Sequence, residues 1–223
     1  MFIEKISNNV ELMRGIWHFT SVFSSAIIFY FSGPFALWLF MGFGVIFAAF
    51  DFGRSRGVGW MVSVIRKLTG EFFFRALREK ERAHVSTSCH FILAGIVIIL
   101  SHLYLGLPRE VIIPAAMFMA VGDPMARLIG MEWKRNGFNG LVAPELRKKC
   151  LFGKKTLIGS ASFFGFGLAA AFLFCAVAKL NVAPFVLVIG ALVATIVELW
   201  STNWDNFTVP ISSIAVMWAL VQI

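Results

Sequence analysis

Charge is scarce in this chain. Asp, Glu, Lys and Arg make up 14% of its 223 residues, against about a quarter in a soluble domain. Acid is scarcer than base, with 12 Asp and Glu against 20 Lys and Arg. Cysteine is scarce too: Cys89, Cys150 and Cys175 lie far apart, without metal-ligand spacing and without a pattern that argues for a disulfide. The opening "MFIEKISNNVELMRG" is mixed and polar, so it does not read as a cleaved signal peptide. No internal repeat and no low-complexity linker divides the chain, and a single membrane domain over 1–223 is expected.

Apolar residues fill the space that charge leaves. They make up 59% of the sequence, with a mean hydropathy of +0.81. They come in long runs, not in a 3.6-residue stripe, and a spanning helix needs ~20 mostly apolar residues. Seven candidate spans are predicted, at about 16–31, 34–50, 85–104, 110–130, 157–180, 182–200 and 206–223. The fold class is therefore all-α, a polytopic membrane protein, with cytoplasmic loops at about 51–84 and 131–156. Gly33 and Pro34 supply the tight turn between the first two spans.

The net charge of +8 raises the question of nucleic acid, but its distribution argues for topology. With the N-terminus in the cytoplasm, eighteen of the twenty Lys and Arg fall on the inner side, and only Arg109 and Lys179 fall outside. No nucleic-acid partner is expected; the lipid bilayer is. Within 51–84, Trp60, Met61, Val64, Ile65, Leu68 and Phe72 share one helical face opposite Ser63, Arg66 and Lys67. That pattern fits an interfacial helix on anionic headgroups or an ordinary helix packed on the bundle. Glu71, Arg75 and Glu79 are spaced to pair along one face.

Ionisable groups at membrane depth are costly and commonly functional. Asp51, Asp123, Glu198 and Asp205 lie in or beside apolar spans, and the predicted topology sends all four to the cytoplasmic face. His18, Asn206 and the "GKKT" segment (153–156) go the same way. Carboxylates together with a phosphate-bearing ligand are the usual setting for Mg²⁺, and Lys with a close backbone approach suits phosphate. Each piece also has a plain structural use. Asp205 is placed to cap the last span, Asp123 and Arg127 are four apart and spaced to neutralise each other, and Lys154 and Lys155 serve as topology charges. The segment "FGKKTLIGS" (152–160) is not a Walker A loop: the first Gly would fall at Lys148, Lys155 separates Lys154 from Thr156, and no strand precedes it.

Taken in order, three segments resemble the CTP-dependent lipid-alcohol kinases: dolichol kinase, phytol kinase and yeast-type diacylglycerol kinase. These share a transferase domain with the phosphatidate cytidylyltransferases. The segments are "GDPMARLIG" (122–130), "GKKTLIGS" (153–160) and the set Glu198, Asp205, Asn206 and Pro210, with a fourth match in "ELMRGIWH" (11–18). The resemblance runs from about residue 11 to 215. It departs at Ile158, where the family has an acid, and at Gly15, where it has Lys. No Pro-Gly-His-Gly-Gly-type loop follows Trp200, which favours the kinase branch.

The resemblance implies an integral membrane transferase that moves a phosphoryl group from CTP to a lipid alcohol, polyprenol- or phytol-like or a diacylglycerol, with Mg²⁺. It implies Asp123 and Asp205 as metal ligands, with Glu198 as an anchor or as the base for the alcohol proton, and a catalytic part for Asp205. It places Gly122, Lys154, Lys155, Thr156, Gly159, Ser160 and Asn206 on the nucleotide and phosphates. Arg14, His18, Glu81 and Asp51 are further candidates. The alternatives are a cytidylyltransferase making a CDP-lipid and a small membrane transporter. The expected location is the cell inner membrane or its equivalent, with the site facing the cytoplasm.

Overall fold

The computed structural model describes residues 10–33, 35–69, 86, 88–140, 150, 155–201 and 204–223. The predicted pairing of Glu71, Arg75 and Glu79 lies outside them, as do Phe72, Glu81, Gly153 and Lys154. The described chain folds as helices: α1 (Val10–Ser32), α2 (Phe35–Ser55), α3 (Gly59–Thr69), α4 (Ser88–Leu105), α5 (Arg109–Met117), a π segment (Phe118–Gly122), α6 (Asp123–Gly140), α7 (Leu157–Ala178), α8 (Pro184–Trp200) and α9 (Asp205–Val221). Six of the seven predicted spans fall largely on one helix each, and the one at 110–130 runs over α5, the π segment and the start of α6. Among the described residues four helical stretches are long and apolar enough to cross a membrane: Phe35–Ser55, Ser88–Leu105, Arg109–Arg135 and Leu157–Ala178. α8 and α9 are apolar but shorter.

The outer surface is that of a protein in lipid. α2 exposes Phe35, Trp38, Phe43, Val45 and Ile46, and α7 exposes Leu173 and Val177. A continuous apolar surface of this kind is not tolerated on a soluble monomer. Exposed Trp60, Trp200 and Trp204 lie toward one rim and Trp38 and Tyr104 toward the other, the arrangement favoured where headgroups meet tails.

Glycine sets how closely the central helices approach. A Cβ on Gly159 would lie 3.0 Å from the Ala126 carbonyl oxygen, and one on Gly122 would lie 3.0 Å from that of Phe163. Gly167 sits against the Phe118 backbone in the same way. The rod α5–π–α6 and α7 therefore run antiparallel, backbone against backbone, which is how small residues bring helices together in lipid. α8 and α9 pack closely on each other, with Gly190 making room for Met217. Phe118, Phe163, Leu187, Val209 and Met217 fill the centre and are almost wholly buried.

α3 combines the two settings left open for it. Ile65 is buried among Trp17, Phe47 and Phe50, and Met61 lies against Gly53 of α2. Trp60 and Leu68 point outward, 60% and 80% exposed, beside exposed Arg66 and Lys67.

The two outlying cations share one end of the bundle. Arg109 donates to the Tyr30 carbonyl at 3.3 Å, and the Tyr30 hydroxyl donates to the Ala178 carbonyl at 3.1 Å. Lys179 follows at once in a left-handed cap, φ 53°, which closes α7. At the other end lie the start of α6 and of α9, the end of α8 and the first turns of α1 and α7.

Candidate functional site

That second end gathers the intramembrane acids. Asp123, Glu198 and Asp205 are each 7% exposed. Arg127 lies within the electrostatic reach of Asp123, Glu11, Asp205 and Glu198, and His18 within that of Asp123, Arg127 and Asp205. Five elements from distant parts of the sequence thus bring their polar residues to one place: α1, α6, the lead into α7, the end of α8 and the start of α9.

The local geometry of Asp123 follows from Pro124. Proline has no N–H and crowds the carbonyl one α-turn back, here that of Ala120. The five residues Phe118–Gly122 answer with a π turn, a device common at functional sites. In the π register the Met119 carbonyl would look to residue 124, which is the proline; it instead makes a backbone hydrogen bond with the His18 imidazole. Gly15 lies against Pro124 and lets α1 come close. The result sets His18 Nε2 3.8 Å from Asp123 Oδ2, too far for a hydrogen bond. Arg127 Nη2 donates to the same Oδ2 at 3.1 Å. Among the described residues His18 Nε2 is buried without a hydrogen-bond partner.

Lys155 and Glu198 form the second part. Lys155 Nζ donates to Glu198 Oε1 at 2.5 Å and also to the Glu198 carbonyl. The carbonyl is one of the last-turn groups of α8 that no intrahelical donor reaches, so one ammonium serves both a carboxylate and the negative end of a helix dipole. An ammonium has three donors; two are spent here. Glu198 Oε2 is buried with no partner among the described residues.

Thr156 begins α7. Its Oγ1 accepts from the Gly159 N–H at 3.1 Å, an N-cap, and it is 3% exposed. Ser160, one turn on, is buried, and its Oγ has no partner among the described residues. Asp205 opens α9 and accepts from the Asn206 N–H at 3.0 Å. Trp204 before it stacks on His90 of α4, with centroids 4.2 Å apart.

The sequence candidates therefore divide. Asp123, Lys155, Glu198 and Asp205 converge, together with His18. Gly122 and Gly159 lie nearby as the points of closest helix contact. Arg14 is close to the group but held by Glu11 at 2.5 Å. Asp51 belongs to a separate buried network: Arg54 Nη2 lies 2.7 Å from its Oδ1, the Ser86 N–H donates to Oδ2 at 2.6 Å, and Cys89 Sγ approaches at 3.8 Å. Arg127 read as a neutralising partner of Asp123, yet the fold puts it in reach of three further acids. His90 carried no signal, because only the tertiary packing brings it to Trp204.

Among the described residues no group of three or more His, Cys, Asp or Glu is arranged as a metal-ligand cluster. Mg²⁺ asks for less: one or two carboxylates, with water and phosphate oxygens completing the shell. Asp123 and Asp205, beside a buried Glu198 oxygen with no partner among the described residues, fit that donor set. No protein-family model matches the chain, no curated protein matches it, and no solved structure matches it.

Proposed function

We propose that this chain is a membrane kinase that transfers a phosphoryl group from CTP to the hydroxyl of a lipid alcohol. In this reading all seven predicted spans cross the membrane and the acidic end faces the cytoplasm. The observation that carries it is the meeting of Asp123, Glu198 and Asp205 with Arg127 and Lys155 at one end of an apolar bundle. Acids alone would repel a nucleotide, and cations alone would serve topology. Buried together at the rim, they suit a phosphate ester that arrives from water and an alcohol that arrives from the bilayer.

In the reaction the lipid hydroxyl oxygen bonds to the γ-phosphorus, the bond from that phosphorus to the β–γ bridging oxygen breaks, and CDP leaves. The hydroxyl proton passes to Glu198, whose Oε2 has no partner among the described residues. Such transfer depends mainly on positioning and charge neutralisation. Lys155 offers its third donor, and Arg127 its remaining N–H groups, to phosphate oxygens. Asp123 and Asp205 would hold Mg²⁺, which supplies charge neutralisation on the phosphates. Burial excludes water and so disfavours hydrolysis of the nucleotide. CTP as the donor rests on the motif resemblance.

The test is a panel of labelled nucleotides against farnesol, phytol, dolichol and diacylglycerol with purified protein in detergent. A lipid monophosphate with stoichiometric CDP is expected. Pyrophosphate and a CDP-lipid would move the reading to a cytidylyltransferase, and no turnover of any nucleotide would remove it.

A further inference from the structure

Below the polar cluster lies an apolar cavity. It has a volume of about 60 Å³, is partly open, and is lined by α1, α2, α4, α5 with the π segment, and α9. The one hydroxyl on its wall, Ser25, already donates to the Ser21 carbonyl at 2.7 Å. Apolar cavities of this kind stay dry and take apolar guests.

Its register against the polar cluster is regular. On α1, Val22, Ser25 and Phe29 line the wall, and His18 is the next residue up that stripe, one turn above Val22. On the central rod, Ile112, Ala116 and Met119 line it, and Asp123 stands four residues beyond Met119. On α9, Pro210 and Ile214 line it, with Asn206 one turn above Pro210 and Asp205 beside it. Residues at i, i+4 and i+7 share a helix face. Three helices thus present an apolar wall that ends, at the same level, in the residues of the candidate site.

The geometry points to this cavity as the slot for the first segment of a single-chain lipid alcohol, hydroxyl upward at His18, Asp123 and Asp205. Size argues for one chain: at about 10–15 Å³ per water site the cavity holds roughly four to six waters' worth of space. One alkyl or isoprenoid segment enters; two acyl chains side by side do not. The partly open wall lets the rest of the chain pass into the bilayer. This inference rests on the kinase reading for the hydroxyl's fate and narrows its substrate to prenol- or phytol-like alcohols over diacylglycerol.

Two farnesol probes test it on the full chain in nanodiscs, one with a diazirine on the first isoprene unit and one with it at the far end. The head probe is expected to label Val22, Met119 and Pro210, and the tail probe Phe29 and Ile112. Excess phytol should abolish both signals while equimolar diacylglycerol leaves them within about twofold. Ala94→Leu and, on a half-buried position, Ser25→Leu should each cut labelling at least tenfold and raise the KM for farnesol, with CTP binding unchanged. Labels scattered over the outer faces of α2 and α7, or equal competition by diacylglycerol, would overturn the slot. Labelling in register without nucleotide turnover supports the slot and removes the kinase reading; turnover without that labelling does the reverse.

Discussion

Lys155 and Glu198 stand 43 residues apart in the chain and 2.5 Å apart in space. The contact ties the lead into α7 to the last turn of α8 at the end of the bundle where Asp123 and Asp205 are buried. Glu198 is 9% exposed and Lys155 27% at the side chain, so the pair is largely out of water. Removing one partner of a buried pair costs about 3–5 kcal/mol, because the other charge is left alone. Lys155→Met is expected at the lower end of that range, since the Lys155 side chain is 27% exposed. The double variant Lys155→Met with Glu198→Leu should recover most of the loss. Thermal unfolding in detergent measures all three, and a double variant no more stable than Lys155→Met would show that the pair is not what holds α7 to α8.

Asp123 and Asp205 are expected to matter for turnover more than for folding. Asp123→Asn keeps shape and an acceptor for Arg127, and Asp205→Asn keeps an acceptor for the Asn206 N–H. Each should lower kcat on the best nucleotide and alcohol at least 100-fold, with a loss of about 1 kcal/mol or less in stability. Asp51→Asn should do the opposite. It removes the buried anion that Arg54 and the Ser86 N–H both meet, so stability falls by about 3 kcal/mol, while kcat per folded molecule stays within about threefold. Titrating Mg²⁺ into each variant separates the groups further: only the Asp123 and Asp205 variants should need more metal for half-maximal rate. Normal turnover in both would remove the metal assignment.

Two glycines on α7 should respond with opposite sign to the same change. A methyl at Gly159 meets the Ala126 carbonyl at 3.0 Å, against backbone that cannot rotate away. Gly159→Ala is expected to destabilise by about 1–3 kcal/mol. Gly165 has nothing within 4 Å of its Cβ position, and Gly165→Ala should be neutral or stabilising by up to about 1 kcal/mol through helix propensity. Melting of the two variants side by side decides the matter.

Orientation has its own handle. Cys150 is exposed between α6 and α7, whereas Cys175 is buried and Cys89 is half-buried. A membrane-impermeant maleimide should label Cys150 in inside-out vesicles and fail in right-side-out ones. Labelling only in right-side-out vesicles would reverse the topology, and with it the side from which nucleotide must come.

Much of the architecture is legible in the sequence because the cause is local or global in a simple way. Long apolar runs must pair their own backbone groups in lipid, so they form helices whatever their neighbours do. Basic residues gather on one side because membrane insertion sorts them. Arg109 and Lys179, set apart by that count, do share one end of the bundle. The choice of helix face is different. A helix that is apolar all round carries no stripe to say which side packs inward. The spacing of Ala161 and Gly165 would let another helix approach, and both are exposed; within the bundle α7 meets α6 through Gly159 and the π segment through Gly167.

A helical membrane protein with its few acids near span ends is already written in the amino-acid order, since composition and run length act residue by residue. Which acids meet was left to the packing of the helices. It sent Asp51 to Arg54 and the Ser86 N–H, and Glu198 to Lys155. It brought His18 to the Met119 carbonyl that Pro124 frees, and it aligned an apolar slot beneath Asp123 and Asp205. Those outcomes depend on long-range packing of side chains that no local pattern encodes. A buried charge is settled by whichever distant partner the fold brings within reach.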